Sequence, residues 1–154
     1  SKIDELSENL RCNVKFHVND SENAVLDIVT DLCVEGNRPD VVYHLAADVL
    51  AAHQFADIKF LIQSNITFGT ELLDAMSANN VSNFVNTGTF AQHFEDAEYS
   101  PVNLYAATKE CFESIIKFYA EAYGLRCIAL HLFDTYGADD KRGKILGLLK
   151  KISD

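Results

Sequence analysis

The chain has 154 residues, 48% hydrophobic and 23% charged, which suits a single globular domain able to bury a core without disulfides or a metal. Thirteen Lys and Arg stand against 23 Asp and Glu, a formal charge of −10 that repels nucleic acid and anionic membrane, so neither is expected as a partner. No apolar run approaches the ~20 residues of a membrane helix, and no signal peptide is read at the start. The four cysteines, Cys12, Cys33, Cys111 and Cys127, form no CxxC pair and no metal-type spacing with histidine. They read as reduced thiols of a cytoplasmic protein, most of them buried, and no metal site is expected.

In chain order, residues 14–18 (Val-Lys-Phe-His-Val) read as a short strand. Asp20 or Ser21 then caps a helix whose inward stripe is Ala24, Val25, Ile28, Val29 and Leu32, with Gly36 as its stop. After Pro39, residues 41–46 form a nearly continuous apolar strand, as expected where both faces are covered. One helix is expected over 58–78, carrying Leu61, Ile62, Ile66, Leu72, Leu73 and Met76, and a strand over 83–87. A helix over 104–123 ends at Gly124, a strand runs over 126–133, and a basic helix starts at Lys144. There is no internal repeat. Strands alternating with helices across short loops predict an α/β protein, with a parallel sheet and helices on both faces. Ligands of such sheets gather at the carboxyl ends of the strands, here residues 45–47, 87–89 and 132–135.

The strongest local pattern is Tyr105-Ala-Ala-Thr-Lys109. Residues four apart share a helix face, and the same row continues through Phe112, Ile116 and Tyr119. Lys109 therefore faces inward, which is costly unless the ammonium has an ion partner or a role. In the functional reading, Tyr105 is an acid/base whose pKa, ordinarily about 10, is lowered by the adjacent ammonium. Action near neutral pH takes about 4 kcal/mol of electrostatic help. In the bland reading, Lys109 snorkels and Tyr105 only packs. Taken alone, the motif favours the bland reading.

Other strand-end residues carry the same double reading. Thr87, in Asn86-Thr-Gly-Thr89, is either a turn former or a hydroxyl that holds a substrate oxygen and shares the proton with Tyr105. Asn65 is either solvated on its helix or bound to backbone or water behind the site. His44 reads as a satisfied core histidine. Ala46 and Ala47 are small enough to admit a cofactor to the backbone.

Together, Asp40-Val-Val-Tyr-His-Leu-Ala-Ala47, Asn65 four residues before Gly69-Thr70, Phe84-Val-Asn-Thr-Gly-Thr89, Tyr105-xxx-Lys109 and Leu132-Phe-Asp-Thr-Tyr-Gly137 resemble the extended short-chain dehydrogenase/reductases, the NAD-dependent epimerase/dehydratases of nucleotide sugars. The motifs occur in that family's order and cover most of the chain from about Val14. The resemblance implies a partial Rossmann-like, doubly wound sheet, a bound NAD or NADP and a nucleotide-sugar substrate. It makes Tyr105 the acid/base, Lys109 the holder of the nicotinamide ribose, Thr87 the hydroxyl partner and Asn65 the supporting asparagine. Ala46, Ala47 and Phe133 would line the cofactor. The family often pairs through the helix bearing Tyr105 and Lys109, so a homodimer is among the expectations. The wording around Asn86, Pro101 and Phe133 is similar to the CDP-abequose synthase-like branch, which implies reduction of a 4-keto sugar.

The sequence also departs from the family. It contains no Gly-x-x-Gly-x-x-Gly, the loop whose backbone N–H groups hold the pyrophosphate. His17 stands where an aspartate is frequent and Ala138 where proline is usual. The chain is thus expected to be the central part, residues 1–154, of a larger enzyme. Reduction is the first expectation and 4-epimerisation the next. Dehydration is disfavoured because Gly88 and Thr89 stand where an acidic pair is wanted. A non-catalytic Rossmann-like interaction domain is the reading from a different class.

Overall fold

The computed structural model describes residues 24–34, 36 and 38–135, together with positions 149 and 152. The strand expected at 14–18 with His17, Cys12, the Asp20 or Ser21 cap, Tyr136-Gly137, Ala138 and the basic helix from Lys144 lie outside the described residues.

Helix α1 (Ala24–Val34) buries Ala24, Val25 and Val29. Strand β1 (Val42–His44) is shorter than its apolar run, and four residues past its end the backbone of Asp48 is held by the Asn65 side chain. The helix expected over 58–78 is present but not uniform. Its parts are α2 (Ile58–Ile62), a π-turn (Gln63–Thr67) and α3 (Phe68–Ala78). Such π-turns cluster at functional sites, and this one holds Asn65 at 0% exposure.

Strand β2 (Asn83–Thr89) runs two residues further than expected, since its ladder with β3 (Arg126–Leu132) continues to the Thr89–Leu132 pair. The sheet is parallel in the order β1-β2-β3. Helix α4 (Leu104–Tyr123) starts where the Asn103 side chain accepts the Ala106 N–H at 2.8 Å. It stops at Gly124, whose φ of 70° is the left-handed conformation glycine adopts without penalty.

One core joins α1, α3 and α4 to the sheet through Val29, Leu73, Met76, Phe84, Phe112 and Ile116. Full burial of such side chains is worth about 1.5–3 kcal/mol each. Gly69 sets the approach of α3 to α4, because a Cβ there would lie 2.4 Å from the Phe112 ring. Helices α1, α3 and α4 pack on the sheet face that carries His44, Phe84 and Asn86. On the opposite face Tyr43, Ile128, Leu130 and Leu132 are exposed, and no described helix covers them.

The expectation that most cysteines are buried is not met. Cys33 and Cys127 are half-buried at the core margin and Cys111 lies on the outer side of α4. All three are free thiols.

Candidate active site

The α4 row ends its inward path at the carboxyl ends of the strands. Phe112, Ile116 and Tyr119 are in the core, Tyr105 is half-buried, and Lys109 between them is 1% exposed. Snorkelling is excluded by that burial. The Lys109 Nζ has no hydrogen-bond partner among the described residues. Burial holds its pKa below the usual lysine range, against a raising influence from Glu113 one turn further along α4. Burial also pushes the Tyr105 phenol above its ordinary value. The lowering expected from the sequence is therefore not seen. The ammonium that would stabilise the phenolate is itself disfavoured by the same desolvation.

Asn65 is a clamp. Its Oδ1 accepts the Asp48 N–H at 2.8 Å, and its Nδ2 donates to the Asp48 carbonyl and to Thr108 Oγ1, each at 3.0 Å. Thr108 in turn donates to the Tyr105 carbonyl at 2.7 Å. Asn65 thus ties the loop after β1, with Ala47 one residue before its anchor, to the turn of α4 that bears Tyr105 and Lys109.

His44 is buried, and its Nδ1–H donates to Asn86 Oδ1 at 3.0 Å. The ring packs among Phe68, Phe84 and Phe112. Its pKa is lowered, first by burial and last by the Lys109 charge, against a raising influence of the Asn86 bond. His44 Nε2 and Asn86 Nδ2 also lack partners among the described residues.

The two threonines of β2 share a face of the strand but differ in their partners. Thr87 alternates with Asn86 and Gly88, so it lies on the face away from α4, and its hydroxyl donates to the His44 carbonyl at 3.2 Å. Thr89, the last residue of the strand, donates its N–H to Gln92 Oε1 at 2.8 Å, and Gln92 reaches Glu110 and Glu113 on α4. The link from Thr89 to the Tyr105 helix runs through its backbone, while its hydroxyl accepts the Ala91 N–H at 3.3 Å and keeps its own proton to donate. The sequence reading passed Thr89 over. Ala46 is exposed and Ala47 half-buried in the loop after β1. Phe133, just past β3, is exposed and stacks on Phe90 from the end of β2, with ring centroids 5.3 Å apart and planes 6° from parallel.

Among the described residues no group of His, Cys, Asp and Glu could hold a metal, and no helix is long and apolar enough to cross a membrane. A half-buried phenol thus stands one helical turn from a buried ammonium that has no hydrogen-bond partner among the described residues. Residues 4–154 match the NAD dependent epimerase/dehydratase family, and the chain belongs to it. It is 34% identical over 125 residues to the UDP-glucose 4-epimerase of Corynebacterium glutamicum, covering 76% of this chain and 38% of that one. Over 122 residues it is 25% identical to the dTDP-glucose 4,6-dehydratase of Mycolicibacterium smegmatis, covering 71% and 37%. Its fold superposes with a TM-score of 0.68 and 28% identity on the crystal structure of UDP-glucose 4-epimerase from Brucella ovis in complex with NAD, covering 79% of this chain and 39% of that one. The chain thus spans well under half the length of these relatives.

Proposed function

We propose that this chain is the catalytic centre of an NAD-dependent enzyme acting at C4 of a nucleotide sugar, with 4-epimerisation as the net reaction. The observation that carries the reading is Lys109, buried to 1% exposure with no partner for Nζ among the described residues, one turn from Tyr105. An ammonium so placed fits the ribose hydroxyls of a nicotinamide nucleotide, whose oxygens would satisfy it. Ala46 and Ala47 leave room for that cofactor at the β1 end, and Phe133 closes its β3 side. When bound, NAD supplies the acceptor and donor of the hydride at the sugar carbon. Tyr105 takes the proton from the C4 hydroxyl oxygen and later returns it, while a strand-end threonine hydroxyl, Thr89 or Thr87, orients that oxygen. Lys109, charged, stabilises the phenolate formed in between. The prevalence of UDP-glucose 4-epimerases among the relatives supports epimerisation.

A second reading, reduction of a 4-keto sugar, is favoured by the Asn86-Thr-Gly-Thr89 wording. Incubation of the intact enzyme with a nucleotide 4-keto sugar and NADH or NADPH separates the two, because only the reductase consumes the reduced cofactor stoichiometrically. Tyr105→Phe should lower turnover by about 10²–10⁴-fold in either case, and wild-type turnover in that variant would end the proposal. Pairing of two copies through α4 is the oligomer this reading favours.

A further inference from the structure

Lys109 needs a counter-charge if it is to remain protonated where it is. The described charged and titratable groups around it are His44 on β1 and, one turn to either side on α4, Tyr105 and Glu113; of these only Glu113 can carry a negative charge near neutral pH. Glu113 stands four residues on and shares its face, whereas Glu110 does not. Three further observations single it out.

First, the Glu113 carboxylate is fixed from two other elements. Gln92 Nε2 donates to Oε1 at 3.0 Å, and His131 Nε2 lies 2.8 Å from Oε1 and 3.0 Å from Oε2. Second, Gln92 is 0% exposed and fully engaged, accepting the Thr89 N–H at 2.8 Å and donating to Glu110 at 2.8 Å. Third, the cluster fills the space above Gly88. A Cβ there would lie 2.4 Å from His131 Cδ2, 2.7 Å from Glu113 Oε1 and 2.9 Å from Gln92 Oε1. Side chains from α4, from β3 and from the segment after β2 thus converge where only glycine leaves room. His93 stacks on His131 at 4.7 Å and closes the rim.

We infer that Glu113, fixed by Gln92 and His131 in the room that Gly88 leaves, is the positioning residue that keeps Lys109 charged. It acts through its field, since Lys109 Nζ makes no bond to it. The inference rests on the assignment of Lys109 to the site, but its test reads the lysine proton and not turnover. Failure here and failure of the Tyr105 experiment are therefore distinguishable.

The experiment is an NMR titration of the 154-residue chain carrying ¹³C,¹⁵N-lysine, with the Lys109 signal assigned by its loss in Lys109→Met. In Glu113→Gln the Lys109 midpoint should move down, and in Glu113→Asp, which restores the charge, it should return toward wild type. An unchanged or higher midpoint in Glu113→Gln overturns the inference, because a packing role is served as well by the isosteric amide. Circular dichroism checks the fold of each variant. If Glu113→Gln does not fold, His131→Ala carries the test at the exposed rim. Loss of the side chain that fixes the carboxylate should move the midpoint down, and a midpoint that stays or rises overturns the inference.

Discussion

Asn65 and Lys109 are equally buried and lie on facing helices, yet they are opposites in chemistry. Asn65 uses Oδ1 once and both Nδ2 hydrogens on the Asp48 backbone and Thr108. Lys109 has three ammonium hydrogens and no partner for any of them among the described residues. A buried polar group with its bonds made holds structure together, whereas one with its bonds unmade lowers stability in exchange for a task. Full burial alone does not separate the two cases; the satisfaction of the polar atoms does.

The contrast can be broken most sharply at Lys109. Lys109→Met in the intact enzyme should cost at least about 10²-fold in turnover, about 3 kcal/mol, while the urea midpoint of the chain stays level or rises. Asn65→Ala should do the reverse in the fold, lowering stability by about 2–4 kcal/mol because Asp48 and Thr108 lose their partners. Denaturant titration of the two variants side by side reads this difference. If Lys109→Met proved the more destabilising, the contrast would collapse.

A smaller effect separates the threonines. Thr89→Val should lower kcat by about tenfold more than Thr87→Val, since the Thr87 hydroxyl gives its proton to the His44 carbonyl whereas the Thr89 hydroxyl only accepts, from the Ala91 N–H, and keeps its proton to donate. Equal losses would remove the distinction between them.

The smallest effect is in pH. The folded-state pKa of Lys109 lies below its ordinary value, so the unfolded chain binds that proton more tightly. The penalty is fully present below the folded value and fades as pH rises toward the ordinary lysine range. The stability gap between Lys109→Met and wild type should therefore narrow from pH 7 to pH 10. His44 has the same sign at lower pH. Its folded value lies below 6.5, so as pH falls through that value the unfolded state gains protons and stability is lost.

Much of α4 was legible in the sequence, because its pattern is local: the row from Tyr105 to Tyr119, the Gly124 stop and the inward Lys109 all follow from helical period. The parallel order of the strands followed from their alternation with helices. The π-turn around Asn65 was not legible, since an apolar period across 58–78 reads as one uninterrupted helix. Gln92, Glu113 and His131 carry no common pattern. Gln92 is 21 residues from Glu113 and Glu113 is 18 from His131, and only the fold brings them over Gly88. The direction of the Tyr105 shift was misjudged for a related reason, because desolvation belongs to the packed state and leaves no mark in a five-residue motif.

The side of the sheet that no described helix covers gives the described residues a distinct colloidal character. Tyr43, Ile128, Leu130 and Leu132 form an apolar strip on a molecule of net charge −10. At low ionic strength mutual repulsion keeps such molecules apart. Salt shortens the reach of that repulsion, to about 8 Å at 0.15 M, and leaves apolar attraction intact. Self-association of the isolated chain is thus driven by added salt, whereas an assembly held by ion pairs would come apart, and buffers of low ionic strength are the ones in which it stays dispersed.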